Sequence, residues 1–310
     1  MKIGIVGAGA VGSAAGFALV LEGAVDEIIF VDRDAARAAA EAADIAHAAP
    51  FASATRVTSG DWSALAGAGA IVLAAGVAQK PGETRVELLG RNAEVFRAVI
   101  GEIEAVAPDG LLIVATNPVD VMTAIATRLS GKPPGTVIGT GTILDTARFR
   151  ALLSAHLGVA SKSIHAYVLG EHGDSEVLGW SEARAGNVPL RDFAAQIGAP
   201  LTNSVMERID AGVRRAAYTI IEGKGFTNYG IGAGIARIVR AIDRDEQAVL
   251  SVSALTPEIA GVPDVAVSVP RIVGRSGVSA DLMPRLDRDE RDALARSATL
   301  IRDLTEAVPL

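Results

Sequence analysis

Through the first 140 positions, short runs of consecutive apolar residues alternate with longer stretches in which apolar positions recur every three or four residues. "KIGIV" (2–6) precedes a helical pattern from Ala10 to Glu22, and "EIIFV" (27–31) precedes one near Asp34 to Ala48. "AIVLAA" (70–75) is followed by a pattern near Val86 to Val106, and "LLIVAT" (111–116) by one near Val119 to Leu129. A strand that is apolar at every position is buried on both faces, and strands of that kind separated by helices form a parallel sheet with helices on either side. The pattern predicts a doubly wound α/β domain.

At "GKPPGTVIGTGT" (131–142) two prolines and four glycines close the alternation. The expected division is residues 1–140 as the sheet domain and residues 141–310 as an α+β domain for substrate binding, catalysis and oligomerisation, with a helix near 229–245 packing back on the first domain. In the second part, Leu201 to Gly223 carries an apolar stripe at helical spacing that ends on Gly223 as a C-cap. Residues 288–308 read as an amphipathic terminal helix.

Composition narrows the classes. A chain of 310 residues has room for two domains of ordinary size. No apolar run reaches the roughly 18 residues a membrane span needs, and Glu22, Asp26 and Glu27 interrupt the longest candidate. The net charge of -7 argues against a nucleic-acid or membrane-surface partner, because both require clustered cations. With no cysteine, disulfides, thiolate catalysis and thiolate metal sites are excluded. A strand that starts at Lys2 leaves no space for a leader, so a cytoplasmic location is expected.

"GAGAVG", Gly7 to Gly12, joins the first strand to the first helix. Gly7 permits the tight turn, Gly9 lets a pyrophosphate approach the backbone, and Gly12 lets the helix press on the strand. Ala10 and Val11 then lie at a helix N-terminus, whose free N–H groups favour phosphate. Asp32, 20 residues beyond Gly12, ends the second strand, where a carboxylate accepts from a ribose diol and repels a 2′-phosphate. This is the Rossmann pattern with NAD as cofactor, although Arg33 next door is a cation that could meet a 2′-phosphate. No GxxxxGK[ST] occurs, which removes support for phosphoryl transfer.

Histidine suits proton transfer near neutral pH. His47 and His156 sit in Ala/Leu-rich helical runs with no chemical role expected. His172, in "VLGEHGDSE", follows an apolar strand in a glycine-flanked turn. Taken alone it is either a proton carrier or a surface histidine.

"GEHGDSE" together with "TNPVD", "LDTARFR", "QKPGETR" and the glycine loop resembles the L-lactate/L-malate dehydrogenase family, in order and spacing over essentially the whole chain. The resemblance makes His172 the proton donor and acceptor at the substrate oxygen and Asp145 the carboxylate that orients its ring, where position alone suggests a helix cap. Arg148 would clamp the substrate carboxylate, and Arg85 would polarise the ketone from a lid bearing Pro81 and Gly82. Asn117 would bind substrate and seat the nicotinamide. Thr227 matches a polar pocket residue and Ile231 an apolar wall behind the ring.

The family separates substrates at the position of Gln79, where malate-reducing members carry Arg. A neutral Gln would leave the second carboxylate of oxaloacetate unpaired, at a cost of roughly 3 to 5 kcal/mol. The resemblance therefore implies reversible reduction of pyruvate to L-lactate by NADH. Reduction of oxaloacetate to malate and a non-catalytic NAD-binding role are the alternatives. A homotetramer is implied, as is fructose 1,6-bisphosphate acting through Arg150 and His165. No metal is implied.

Overall fold

The computed structural model describes residues 1–77 and 82–309. Its first half runs β1 (Lys2–Val6), α1 (Ala10–Glu22), β2 (Glu27–Val31), α2 (Ala35–Ala48), β3 (Arg56–Ser59), β4 (Ala70–Leu73), α3 (Arg85–Val106), β5 (Leu111–Val114), α4 (Val119–Ser130) and β6 (Val137–Gly139). The second half continues α5 (Ile143–Leu157), β7 (Ile164–His165), β8 (Val168–Leu169), β9 (Val177–Leu178), β10 (Arg184–Ala185), β11 (Val188–Pro189) and α6 (Leu190–Gln196). Then come α7 (Asn203–Arg214), α8 (Ala216–Lys224), α9 (Tyr229–Asp243), β12 (Ala248–Ile259), β13 (Val262–Gly274), β14 (Gly277–Asp281) and α10 (Arg288–Glu306).

Strands β1 to β6 are parallel and stand in the order β3-β2-β1-β4-β5-β6. That is the doubly wound Rossmann order, whose topological switch lies between β1 and β4. Beyond β6 the sheet continues through β12, β13 and β14, all antiparallel, into one sheet of nine strands. Two apolar clusters cover its faces. One packs α3, α4 and α10 on one side; the other packs α1, α2 and α9 on the opposite side. A third cluster lies away from the sheet among α5, α6, α7 and the short strands.

Local chemistry explains the boundaries. Helix α3 opens with a capping box in which the Thr84 side chain accepts from Glu87 N and Glu87 accepts from Thr84 N. Asp34 and Asp287 cap α2 and α10 in the same sense. Helix α1 has no side-chain cap and no acid in its first turn, so its leading N–H groups remain open.

The second half departs from the sequence reading in two places. Leu201 to Gly223 is two helices, broken at Arg215, and the left-handed C-cap is Gly225 (φ 84°); Gly223 lies inside α8. The β12–β13 hairpin joins the Rossmann sheet, although its residues carried no clear strand signal. Every residue of β12 from Leu250 to Ala254 is buried, including Ser251 and Ser253, so polar residues interrupt the apolar run that marks a buried strand elsewhere.

Candidate active site

Helix α5 and strand β8 are joined by hydroxyl groups. Thr142 Oγ1 and Ser251 Oγ both donate to Val168 O at 2.6 Å, and Val168 N donates to Thr146 Oγ1 at 2.9 Å. Thr142 and Thr146 flank one turn of α5, and Asp145 lies between them, buried. Beyond β8 the chain turns at Gly170 (φ 82°), where an added Cβ would stand 2.6 Å from Ser297 Oγ. Gly170 also exchanges two backbone hydrogen bonds with Ser268 of β13, at 2.8 and 2.9 Å. Glu171 N donates to Ser297 Oγ of α10 at 2.8 Å. The turn is thereby fixed from β13 and α10, and it delivers His172 onto Asp145.

The imidazole Nδ1 of His172 lies 2.5 Å from Asp145 Oδ2, and Asp145 Oδ1 accepts from Arg148 Nη1 at 2.8 Å. The backbone N–H of His172 donates to Asp120 Oδ2 at 2.7 Å. Burial alone lowers the histidine pKa, but the charge and hydrogen bond of Asp145, aided by the charges of Asp120 and Glu176, push it up to about 9. Burial pushes Asp120 up to about 6 and Glu176 up to about 8, with the charge of Asp145 adding to the latter. The His172 ring keeps 26% of its surface exposed, with no partner for Nε2 among the described residues. A carboxylate on one ring nitrogen and an open second nitrogen are what a proton carrier needs.

The glycine loop forms the other wall. Gly7 adopts φ 106°, and an added Cβ there would lie 2.6 Å from Ala75 N; at Gly12 it would lie 2.0 Å from Gly7 O. Both glycines are required for the loop to close. Gly9 differs, because an added Cβ would meet nothing within 4 Å, so this position faces open space. A cavity of about 280 Å³ lies beside the loop, lined by Gly7, Gly9, Asp32, Trp62 and the Ala74–Val77 segment among others. Asp32 holds its place on that wall by accepting from Ala8 N and Asp34 N at 2.7 and 2.9 Å. The open Gly9, the uncapped start of α1 at Ala10 and Val11, and a fixed carboxylate together fit the pyrophosphate and ribose of a dinucleotide.

The remaining expected residues are placed as follows. Asn117 lies in the exposed turn between β5 and α4, three residues before Asp120. Ile231, in the first turn of α9, packs on the same apolar cluster as Val11 of α1. Thr227 is half-buried in the link between α8 and α9. Gln79 and the Arg85 side chain lie outside the described residues. Arg150 donates Nε to Ala166 O at 2.9 Å and sits 4.7 Å over the Tyr167 ring. It lines a cavity of about 270 Å³ with Lys162 and Arg237; exposed His165, paired with Arg184 in the β7–β10 ladder, does not line it.

Profiles of the lactate/malate dehydrogenase NAD binding domain and of the lactate/malate dehydrogenase alpha/beta C-terminal domain match residues 1–139 and 142–308. The chain belongs to the lactate/malate dehydrogenase family. Relatives in this family include the L-lactate dehydrogenase of Allorhizobium ampelinum, 60% identical over 309 residues and covering 100% of both chains. That of Thermus aquaticus is 58% identical over 308 residues, covering 99% of each. Among solved structures, the minor L-lactate dehydrogenase from Enterococcus mundtii superposes with a TM-score of 0.96 at 37% identity, over 100% of this chain and 98% of its own. A lactate dehydrogenase from a Medee basin deep-sea metagenome library gives 0.96 at 38% identity, over 99% and 98%. In this lactate/malate dehydrogenase family member the cofactor is NAD, and the glycine-lined cleft belongs to the NAD-binding half.

Sequence reasoning gave no role to Asp120 or Glu176. Asp120 stands in the first turn of α4, where an acid reads as a helix-dipole partner. Only the fold reveals that it holds the His172 backbone.

Proposed function

We propose that the chain is an NAD-dependent L-lactate dehydrogenase that reversibly reduces pyruvate to L-lactate, and that the residues around His172 carry the reaction. The observation behind this reading is the Asp145–His172 pair with Arg148 on the same carboxylate, in a chain whose first half binds NAD. When bound, NADH would supply the hydride for the carbonyl carbon. His172 donates its proton from Nε2 to the carbonyl oxygen, and in the reverse direction takes it back. Asp145 fixes the tautomer and stabilises the imidazolium. Arg148 keeps donors beyond the one on Asp145 for the substrate carboxylate, where a planar guanidinium binds by paired hydrogen bonds. Arg85 polarises the ketone, Asn117 and Thr227 contact substrate, and Ile231 backs the nicotinamide. Gly7, Gly9, Ala10, Val11, Gly12 and Asp32 hold the rest of the dinucleotide.

Gln79 supports pyruvate over oxaloacetate, in agreement with the names of the relatives. Following NADH consumption at 340 nm with pyruvate and oxaloacetate side by side tests this, with pyruvate favoured. Gln79→Arg is expected to move the ratio toward oxaloacetate by about two decades, the equivalent of one buried charge pair. A folded variant with no gain on oxaloacetate would overturn the assignment of that position.

A homotetramer working in the cytoplasm is the expected assembly. Exposed Tyr218, Ile220, Ile221 and Phe226 on and just after α8, and Phe17 and Leu21 on α1, are apolar surface that subunit contacts would cover. Arg150 and His165 are the residues through which fructose 1,6-bisphosphate would act, joined across an interface by symmetry. Pyruvate saturation curves and sedimentation with and without the bisphosphate test both. Activation is expected to sharpen the curve at low pyruvate, and identical curves with identical assembly would dispose of the effector.

A further inference from the structure

The ribose end of the dinucleotide cleft carries two cations. Its wall combines Asp32 with Arg33 and Arg37. Both arginine side chains are exposed, and among the described residues neither makes an ion pair or a side-chain hydrogen bond. The neighbouring acids are occupied by backbone instead. Asp32 accepts from Ala8 N and Asp34 N, and Asp34 Oδ1 accepts from Arg37 N at 3.1 Å as the cap of α2. Other exposed arginines are divided: Arg56 pairs with Glu27, Arg97 with Glu94 and Arg128 with Asp264, whereas Arg208, Arg215 and Arg296 make no ion pair among the described residues, and what sets Arg33 and Arg37 apart is that both line the cavity beside Asp32.

We propose that Arg33 and Arg37 admit a 2′-phosphate at this end of the cleft, so that the chain takes the 2′-phosphorylated dinucleotide NADPH as a second, weaker cofactor beside NADH. The inference rests on the reading that the cleft holds the adenosine half of the dinucleotide. Asp32 repels a dianionic phosphate, but each oxygen of its carboxylate already accepts one N–H, and the site is open to screening by salt. Guanidinium groups bind phosphate through paired, charge-assisted hydrogen bonds, and in the cavity lining two unclaimed ones oppose one carboxylate, Asp32, while Asp34 lies outside the lining as the cap of α2. Asp32 then sets the preference for NADH without excluding NADPH. The redox step is unchanged: the C4–H bond of the dihydronicotinamide breaks, hydride and its electron pair go to the carbonyl carbon of pyruvate, and the oxygen takes the His172 proton. The 2′-phosphate takes no part in it.

Calorimetric titration of the whole chain with adenosine 5′-monophosphate and adenosine 2′,5′-bisphosphate tests this without turnover, and Trp62 on the same wall offers a fluorescence readout. The bisphosphate is expected to bind no more than about a hundredfold more weakly than the monophosphate, and Arg33→Ala/Arg37→Ala to widen the ratio of the two dissociation constants at least about tenfold. Both substitutions remove exposed side chains without internal partners, so folding is preserved. A wild-type ratio beyond a hundredfold, or a widening below tenfold, overturns the proposal. Failure of the monophosphate itself to bind would remove the adenosine placement and this inference with it.

Discussion

Three buried acids, Asp120, Asp145 and Glu176, surround His172, and each acts on it differently. Asp145 bonds the ring, Asp120 bonds the backbone, and Glu176 reaches it through charge once ionised, with one oxygen lacking a hydrogen-bond partner among the described residues. Burial outweighs the nearby Arg214 charge and pushes Glu176 up to about 8, so the folded chain holds that proton more firmly than the unfolded chain does. Stability from this group is therefore largest at acid pH and declines as pH rises from about 4.5 to 8. Glu176→Gln, which resembles the neutral acid, is expected to raise Tm at pH 9 while leaving it unchanged at pH 4.5. Equal shifts at both pH values in thermal scans would contradict the assignment. The sequence supplied His172 as a candidate, but its partner Asp145 came only through the family motif. Twenty-seven positions of separation hide a contact that hydroxyl bonds between α5 and β8 create.

Elements with a single physical role were legible. Strands β4 and β5 are apolar throughout, and β1 and β2 after their first residues Lys2 and Glu27, because helices cover both faces, and α1 and α10 fall where their patterns place them. Edge strand β3, "RVTS", is only partly buried and shows no such run. The long hairpin escaped notice because its burial is earned by pairing with β6 and by buried serines, not by apolar monotony. Helix packing gives a sharper test. Where α9 crosses α1, a Cβ on Gly232 would lie 2.7 Å from the Ala14 carbonyl carbon, a backbone atom that cannot rotate away. Gly232→Ala is expected to separate the helices, costing about 1 to 3 kcal/mol by overpacking despite its better helix propensity, and to lower Tm by several degrees. A stabilised variant would show that the two helices are not in close contact.

At the scale of the molecule, one sheet of nine strands carries both halves and sets the distance between the glycine loop and the histidine turn. Asp120, from the first half, grips the backbone of His172, from the second. Such a clamp ties the proton carrier to helix α4 of the first half. Because the pKa of His172 is raised, its charge adds stability that is fully present below pH 6.5 and is lost as pH rises through about 9. The same titration governs chemistry, since pyruvate reduction requires the imidazolium and lactate oxidation the neutral ring. The pH dependence of kcat/KM for pyruvate reduction, in the wild type and in Asp145→Asn, is the most direct measurement. The wild type should be flat at neutral pH and fall through a pKa near 9, and Asp145→Asn should move that limb down toward the free histidine value and lower the rate about 10²- to 10⁴-fold. Superimposable profiles of equal height would contradict a proton carrier held by Asp145.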